Sequence, residues 1–141
     1  IAKAQAESQS EERNAREKAE LMRQLGMEEG KTPASHQRAR IRELEDEQKR
    51  RSKRAIQDAL DRALVDLLGI YRDVLMRQLG SDQEPINDDC MDLIDELATR
   101  STPQQTMTRV QAIEEARKRL TTNMSVTLIL EAMTLSLRPQ V

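Results

Sequence analysis

Apolar side chains recur at helical spacing through the middle of the chain. From Ala55 onward most large apolar residues are three or four positions apart, which places them on one face of a helix. The run from Arg38 to Leu79 contains no proline and a single internal glycine, Gly69. The pattern predicts one long helix over Arg38–Leu79, ended by Gly80. Its apolar face comprises Ile56, Leu60, Leu64, Leu67, Tyr71, Val74 and Leu75.

The first half of this predicted helix is almost entirely polar. Between Ile41 and Arg54 only Ile41 and Leu44 are large and apolar. Acidic residues precede basic ones by four positions, an order that stabilises a solvated helix. We therefore expect a helix that starts as a charged rod and ends as the central member of a core. The predicted ion pairs are Glu45–Lys49, Asp46–Arg50 and Glu47–Arg51.

The segment before the long helix predicts a weaker helix. Residues 1–25 are rich in good helix formers. The apolar stripe is thin, so this helix needs a neighbour. Gly26 is its expected stop, residues 26–35 read as a loop, and Ser35 is a candidate N-cap for the long helix. The expected stripe comprises Ala15, Ala19, Met22 and Leu25.

Two shorter helices are predicted after Gly80. The first covers about 88–98, with Asn87 as its cap. The second begins at Thr102-Pro103, a cap residue followed by proline at the first helical position, and runs to Leu120. The residues expected to point inward are Cys90, Leu93, Ile94 and Leu97 in the first helix, and Met107, Val110, Ile113, Ala116 and Leu120 in the second.

The last predicted helix, about 126–137, has apolar residues on more than one face. Asn123 or Ser125 is expected to cap it. A helix of this kind is either central to a bundle or shared with a partner. The residues we expect at a subunit interface are Val126, Ile129, Leu130, Met133 and Leu137.

Composition supports an all-α helical bundle of about five helices built around the long one. Of the 141 residues, 37% are apolar, and Tyr71 is the single aromatic, which favours an aliphatic helical core over a β-sandwich. No transmembrane run or signal-peptide core is visible, and the first residue is not Met. We expect a piece of a longer cytoplasmic protein that makes no membrane contact. The lone cysteine, Cys90, is expected to be a small buried residue.

A basic cluster lies in the charged half of the long helix. It comprises Lys49, Arg50, Arg51, Lys53 and Arg54. Such a cluster is a candidate for contacting nucleic-acid phosphates. The alternative is a solvated face that the preceding acids compensate, and the lack of interleaved aromatic residues favours this alternative.

Patterns typical of catalysis are missing from the sequence. There is no phosphate-binding glycine loop and no G-x-G-x-x-G. The single histidine, His36, follows Ser35, but no acid is placed to orient it, so the pair is not a triad and we expect His36 to be solvated or capping. Asp88, Asp89 and Asp92 suit a helix N-terminus, and they lack the glycine and glutamate of a calcium loop. We expect no enzyme activity, cofactor or metal site in this chain.

Two stretches, 44–80 and 112–139, resemble a known family. The first contains E-x-Q-K-R-R and L-D-R-A-L-V-D-L-x-x-x-Y-R-D-V. The second has a helix ending in L-x-x-N and then L-x-L-E-x-x-x-L-x-L, formed by Leu120, Asn123, Leu128, Leu130, Glu131, Leu135 and Leu137. Together they resemble the C-terminal domain of delta-prime subunits of bacterial DNA polymerase III, most closely the actinobacterial form.

The resemblance implies a structural role in a clamp loader, which places a sliding clamp on primed DNA. Residues 35–141 would form a helical collar domain that binds the gamma/tau and delta subunits. Residues 1–34 would be a helix and loop leading from an absent ATPase-type module. DNA contact by this chain is possible but not expected. The charged start of the long helix would be a lineage-specific addition packed against residues 10–25.

Three other hypotheses stay open at this point. One is a nucleic-acid-binding helical domain that uses residues 49–54, together with the basic residues Arg117 to Arg119. Another is the collar of a gamma/tau subunit, which has a similar architecture. The third is a coiled-coil adaptor, and the lack of apolar residues between Glu45 and Arg54 argues against it.

Overall fold

The computed structural model describes residues 2–26 and 34–139, and side chains from residue 4 onward. These residues form five α-helices and a short 3₁₀ turn, with no strand among them, which confirms the predicted all-α fold. The predicted loop 26–35 lies largely outside the described residues. The elements are α1 (Ala2–Gln24), α2 (Ser35–Gln78), the 3₁₀ turn Asp88–Cys90, α3 (Met91–Arg100), α4 (Pro103–Leu120) and α5 (Val126–Leu137).

The long helix α2 is one continuous element of 44 residues. Its C-terminus closes as the sequence predicts, because Gly80 adopts φ 66°. There the Gly80 N–H donates to the Arg77 carbonyl at 3.2 Å, and the Ser81 N–H donates to the Met76 carbonyl at 3.0 Å. These two bonds form a Schellman motif, which satisfies carbonyls that the helix end would leave unpaired.

The chain divides into two compact units, Ile1–Ala59 and Leu60–Val141. In the first unit α1 packs antiparallel to the beginning of α2. The Ser10 and Ser52 hydroxyls are 2.9 Å apart, and the Lys18 ammonium is 2.6 Å from Glu45. Residue numbers therefore fall along α2 as they rise along α1. The predicted packing against residues 10–25 is confirmed.

The α1–α2 interface is polar. Gln48 is buried there, and its amide donates to the Asn14 carbonyl at 2.9 Å. The predicted apolar stripe on α1 is wrong at Ala15 and Ala19, which are exposed. A methyl group buries too little surface to decide which face of a helix turns inward. Polar contacts from Asn14 and its neighbours decide it instead.

The second unit contains the apolar core. Side chains from the C-terminal half of α2, from α4 and from α5 meet there. Full burial of each large aliphatic side chain stabilises the fold by about 1.5–3 kcal/mol. The buried cluster comprises Leu64, Tyr71, Ile113, Ala116, Leu120, Ile129 and Met133.

Two residues predicted to point inward are exposed instead. Leu93 of α3 and Met107 of α4 have exposed side chains, and Cys90 is only partly buried. Adjacent helix positions differ by about 100°. Because Ile94 is fully buried, its neighbour Leu93 is turned toward solvent. The prediction therefore assigned too many residues of α3 to its buried face.

Some of the helix starts predicted from the sequence are confirmed. At α4 the Gln105 N–H donates to the Thr102 hydroxyl at 3.2 Å, and the Thr102 N–H donates to the Gln105 side chain at 3.0 Å. This capping box, with Pro103 behind Thr102, confirms the predicted start. Ser125 precedes α5, yet its side chain makes no capping hydrogen bond.

Of the predicted caps, Ser35 is wrong, and Asn87 stands at the cap position of the 3₁₀ turn without a capping hydrogen bond. Ser35 is the first residue inside α2, and the Gln37 side chain accepts a hydrogen bond from the Ala34 N–H at 2.9 Å. Asn87 makes no capping bond because its amide donates to Asp73 at 3.0 Å. At the start of α2 the nearby Gln37 makes the side-chain contact, and at the 3₁₀ turn the Asn87 side chain is engaged by Asp73 instead.

Candidate interaction surfaces

The last helix, α5, has two apolar faces. Its buried face carries Ile129 and Met133, and Val126, Leu130 and Leu137 pack partly buried against the same core. All five residues predicted for an interface therefore lie at the core of this chain. Their interface role stays a prediction.

The other apolar face of α5 is open to solvent. Leu128 and Leu135 are 59% and 58% exposed. They are seven positions apart, close to two helical turns, so they lie along one side of the helix. The sequence contained a signal for this face, since both leucines belong to the L-x-L-E-x-x-x-L-x-L pattern. That pattern does not reveal which leucines turn outward.

A shallow groove of about 170 Å³ runs between α4 and α5. Its lining includes Ala112, Ala132 and Ser136, whose small side chains keep it open. At its rim, Arg119 pairs with Glu115 at 3.0 Å. Small residues with a charged rim suit the close approach of another helix.

A two-point ion pair joins α4 to α2 inside the second unit. The Arg117 Nε lies 2.7 Å from the Asp61 Oδ1, and its Nη2 lies 3.1 Å from the Oδ2. The Arg117 guanidinium holds the pKa of Asp61 below its ordinary value. The planar fork fixes direction as well as distance, so the pair orients the two helices.

Asp73 holds the segment between α2 and α3 against α2. Its carboxylate is buried and accepts hydrogen bonds from the Ile86 N–H at 3.1 Å and the Asn87 N–H at 2.8 Å. The Asn87 amide and the Arg72 guanidinium donate to it as well. Burial alone would raise the pKa of Asp73, but these donors hold it below its ordinary value.

Gly69 makes room for this arrangement. A Cβ added at Gly69 would lie 3.3 Å from the Asn87 amide nitrogen, closer than side chains normally tolerate. The single glycine inside the predicted long helix therefore has a packing role. Because Gly69 has no side chain, the Asn87 amide can reach Asp73, which lies one turn further along α2.

A second polar network ties the end of α2 to the turn between α3 and α4. The Gln78 amide donates to the Ser101 carbonyl at 2.8 Å, and the fully buried Thr106 hydroxyl donates to the Gln78 oxygen at 2.8 Å. Because these hydrogen bonds satisfy buried polar groups within the chain, the network stabilises the turn.

The basic cluster lies on α2 within the first unit, and its side chains point in two directions. Arg51 turns toward α1, where it pairs with Glu17 and approaches Asn14. Lys49, Arg50, Lys53 and Arg54 are exposed.

Two of the ion pairs predicted along α2 are replaced by ion pairs with α1. Glu45 pairs with Lys18 of α1, and Arg51 pairs with Glu17 of α1, so the predicted pairs Glu45–Lys49 and Glu47–Arg51 along α2 are wrong. The Arg51 contact lowers the pKa of Glu17, and the Lys18 contact lowers the pKa of Glu45. Tertiary contacts with α1 replace pairing within α2.

Two kinds of feature, metal-binding clusters and membrane-spanning helices, are absent from the residues that the structure describes. No group of histidine, cysteine, aspartate and glutamate there is arranged to hold a metal ion. Asp88 and Asp89 lie in the 3₁₀ turn, and Asp92 lies in the first turn of α3. Among the same residues, no helix combines the length and apolar character needed to cross a bilayer.

Comparisons with known proteins agree with the resemblance seen in the sequence. The family model described as DNA polymerase III, delta subunit, C terminal, matches residues 34–138. The chain is 39% identical over 72 residues to DNA polymerase III subunit delta' of Bacillus subtilis (strain 168), which is 51% of this chain and 22% of that relative. The chain thus spans about a fifth of the relative's length. No solved structure matches it.

These matches confirm the predicted delta-prime C-terminal resemblance. The matched range runs from the start of α2 to the end of α5. It therefore includes the open face of α5 and the groove beside it. The predicted actinobacterial form is a finer statement that stays a prediction.

Proposed function

Because the chain belongs to the family of C-terminal domains of DNA polymerase III delta subunits, we propose that it is the assembly domain of a clamp-loader protein. In this role it joins a delta' subunit to its neighbours in the complex that loads the sliding clamp. The observation that carries the proposal is the two-faced α5. One face completes the core of this chain, and the other presents Leu128 and Leu135 to solvent.

The open face has the geometry of a helix-packing surface. Leu128 and Leu135 are about 10 Å apart along the helix axis, two turns at 1.5 Å per residue. Single exposed leucines are ordinary on a protein surface, but an aligned pair beside a groove forms a stripe. Covering such a stripe contributes about 25 cal/mol for each Å² of apolar surface removed from water.

The groove between α4 and α5 supports the same proposal. Its small side chains, Ala112, Ala132 and Ser136, allow a neighbouring backbone to come close. Arg119 and Glu115 at the rim supply both signs of charge for orienting a partner. A helix of an adjacent subunit would thus meet apolar surface along α5 and polar surface along α4.

The gamma/tau and delta subunits are the proposed partners. Residues 81–141 carry 6 basic and 10 acidic side chains, so a neighbour with a basic surface would be complementary. The similarity to a delta' subunit favours this assignment over a gamma/tau collar. Residues 35–141 would form the collar domain, with 1–34 as the connection from the preceding module.

Reconstitution with purified gamma/tau and delta subunits tests the proposal. We expect the chain to co-elute with them on a sizing column coupled to light scattering. Replacing Leu128 and Leu135 with serine should abolish the mixed complex while the circular dichroism stays unchanged. A matched control replaces the equally exposed Leu79 and Ile86 with serine and should assemble normally. Normal assembly of the α5 variant would refute the proposal.

A further inference from the structure

The face of α2 that points away from α1 carries an unusual density of positive charge. Contacts with α1 come from Glu45, Gln48, Arg51 and Ser52. At about 100° per residue, Arg50, Lys53 and Arg54 lie on the opposite side of the helix, with Lys49 at its edge. All four are exposed. We call these four residues, Lys49, Arg50, Lys53 and Arg54, the cationic face.

Among the described residues, no acid is paired with the cationic face, although Glu45 and Asp46 lie one helical turn before Lys49 and Arg50. The stretch from Gln48 to Gln57 contains no aspartate or glutamate. Glu45 is paired with Lys18, and Glu17 of α1 is paired with Arg51. Within the described residues, no ion pair involves a member of the cationic face. The preceding acids that the sequence predicts as partners of this cluster are thus not in ion pairs with Lys49 or Arg50 in the structure.

Acidic residues of the first unit are concentrated nearer the beginning of α2. A cleft of about 480 Å³ between α1 and α2 is lined by Glu17, Glu20, Glu43 and Glu47, together with Arg16 and Arg40. Each of these arginines has an acid within ion-pair distance on its own helix, Glu12 or Glu43. The acids of this cleft on α2 thus precede the cationic face along the helix, and the field over the four exposed cations is positive.

We propose that the cationic face binds the phosphodiester backbone of duplex DNA without reading its bases. Lys49 and Lys53, like Arg50 and Arg54, are one helical turn apart, about 6 Å along the axis. Duplex DNA presents a negative charge about every 1.7 Å along its axis, so a rigid row of cations can meet several phosphates at once. Arginine suits this role because its planar fork matches the phosphate oxygens.

Two further observations favour duplex DNA as the occupant. The one aromatic side chain of the sequence, Tyr71, is buried in the core of the second unit, so no ring is offered for stacking unpaired bases. The family match ties the chain to a DNA polymerase, which favours DNA over an acidic protein. Binding at this face does not depend on α5 or on the proposed assembly role.

Four phosphate contacts predict a definite salt dependence. Each contact contributes about −0.9 to the slope of log K against log salt concentration, giving about −3.6 in total. Doubling the salt concentration should therefore weaken binding about twelvefold. A slope of this size is the result we expect if the four side chains each contact one phosphate.

The test is fluorescence anisotropy of the whole chain with a labelled DNA duplex, from about 50 to about 200 mM salt. The site variant carries Arg50→Gln, Lys53→Gln and Arg54→Gln. The control variant removes the same charge from three exposed cations elsewhere, through Arg38→Gln, Arg62→Gln and Lys118→Gln. We expect the site variant to bind at least tenfold more weakly, with a slope shallower by about 2.7, and the control to bind like the unchanged chain.

Additional variants separate this site from folding and from assembly. A variant with Arg50→Lys and Arg54→Lys keeps the charge and should retain most of the binding. The Leu128→Ser, Leu135→Ser variant should bind DNA normally even where it fails to assemble. Unchanged circular dichroism of the site variant shows that a loss of binding is not a loss of fold.

Several outcomes would overturn the proposal. One is no duplex binding at the lowest salt. A second is an equal loss in the site and control variants, which would indicate general attraction and not a site. A third is competition by polyglutamate as effective as competition by DNA at the same charge concentration, which would indicate an acidic protein partner. Tighter binding to single strands than to duplex would also count against it.

Discussion

Asp73 is the side chain that does most to place the segment between α2 and α3. Its buried carboxylate accepts two backbone N–H groups and two side-chain donors. Asn in its place has one acceptor oxygen and presents an NH₂ group to donors. We expect Asp73→Asn to lower the free energy of unfolding by about 2–4 kcal/mol in urea titrations. Asp82→Asn, at an exposed loop position, is the control and should change it little.

The pH dependence of stability follows from the same contacts. The pKa of Asp73 in the folded chain lies below its ordinary value of 3.8. Its stabilisation is therefore complete above pH 3.8 and is lost as the pH falls through the lower, folded-state value. The stability difference between the unchanged chain and Asp73→Asn should be constant near neutral pH and shrink in strong acid. Urea midpoints across this range measure it, and a difference that grew in acid would contradict the assignment.

The role of Asp73 was only partly visible in the sequence. An acid between Tyr71 and Val74 interrupts a buried helical face, and Gly69 lies one turn before it. These features mark an unusual position. They do not reveal that the donors come from Ile86 and Asn87, because that pairing depends on how the chain returns to α2 after Gly80.

At the scale of elements, the helix ends marked by Gly80 and by Thr102-Pro103 were predictable, whereas Ser35 and Asn87 do not cap as predicted. Gly80 and the Thr102-Pro103 pair determine local backbone geometry, so a few neighbouring residues suffice to identify them. The face of α1 was not predictable in the same way. Its apolar stripe is thin, and the polar partners on α2 that orient it lie 27 to 42 residues away in sequence.

The end of α2 offers a direct test of backbone conformation. Gly80 has a positive φ, and a Cβ added there would meet no other atom within 4 Å. The cost of Gly80→Ala should therefore come from the backbone alone and amount to about 1–2 kcal/mol. Thermal or urea unfolding measures it. Gly80→Asn should cost less, since asparagine tolerates this conformation better than alanine.

The α1–α2 interface should respond to the loss of one ion pair. Glu17→Gln weakens the contact with Arg51, worth about 1 kcal/mol or less because both groups are partly solvated. We expect amide hydrogen exchange in α1 to rise by a factor of up to about five, with α4 and α5 unchanged. Glu12→Gln, whose pair with Arg16 is highly exposed, should leave exchange in α1 as it was. Equal effects of both changes would contradict a role for Glu17.

At the scale of the whole molecule, sequence pattern predicts an all-helical chain but not which apolar residues face a partner. Ile129 and Leu128 are adjacent and both apolar, yet one is buried and the other is 59% exposed. Hydrophobic spacing identifies side chains that become covered, but it does not tell whether the covering surface belongs to the same chain or to another. The structure separates the two faces, and assembly with partner subunits tests the open one.

The polar interface between α1 and α2 also bears on aggregation. No large apolar side chain among the described residues is fully buried there, and Leu21 and Leu44 are only partly buried, so a transient opening would expose less apolar surface than an opening of the second unit. Surfaces with little apolar area have little tendency to attract other chains. An opening between α4 and α5 would instead expose Ile113 and Ile129, which other unfolded segments would bind. Opening of the second unit would therefore carry the greater risk of aggregation.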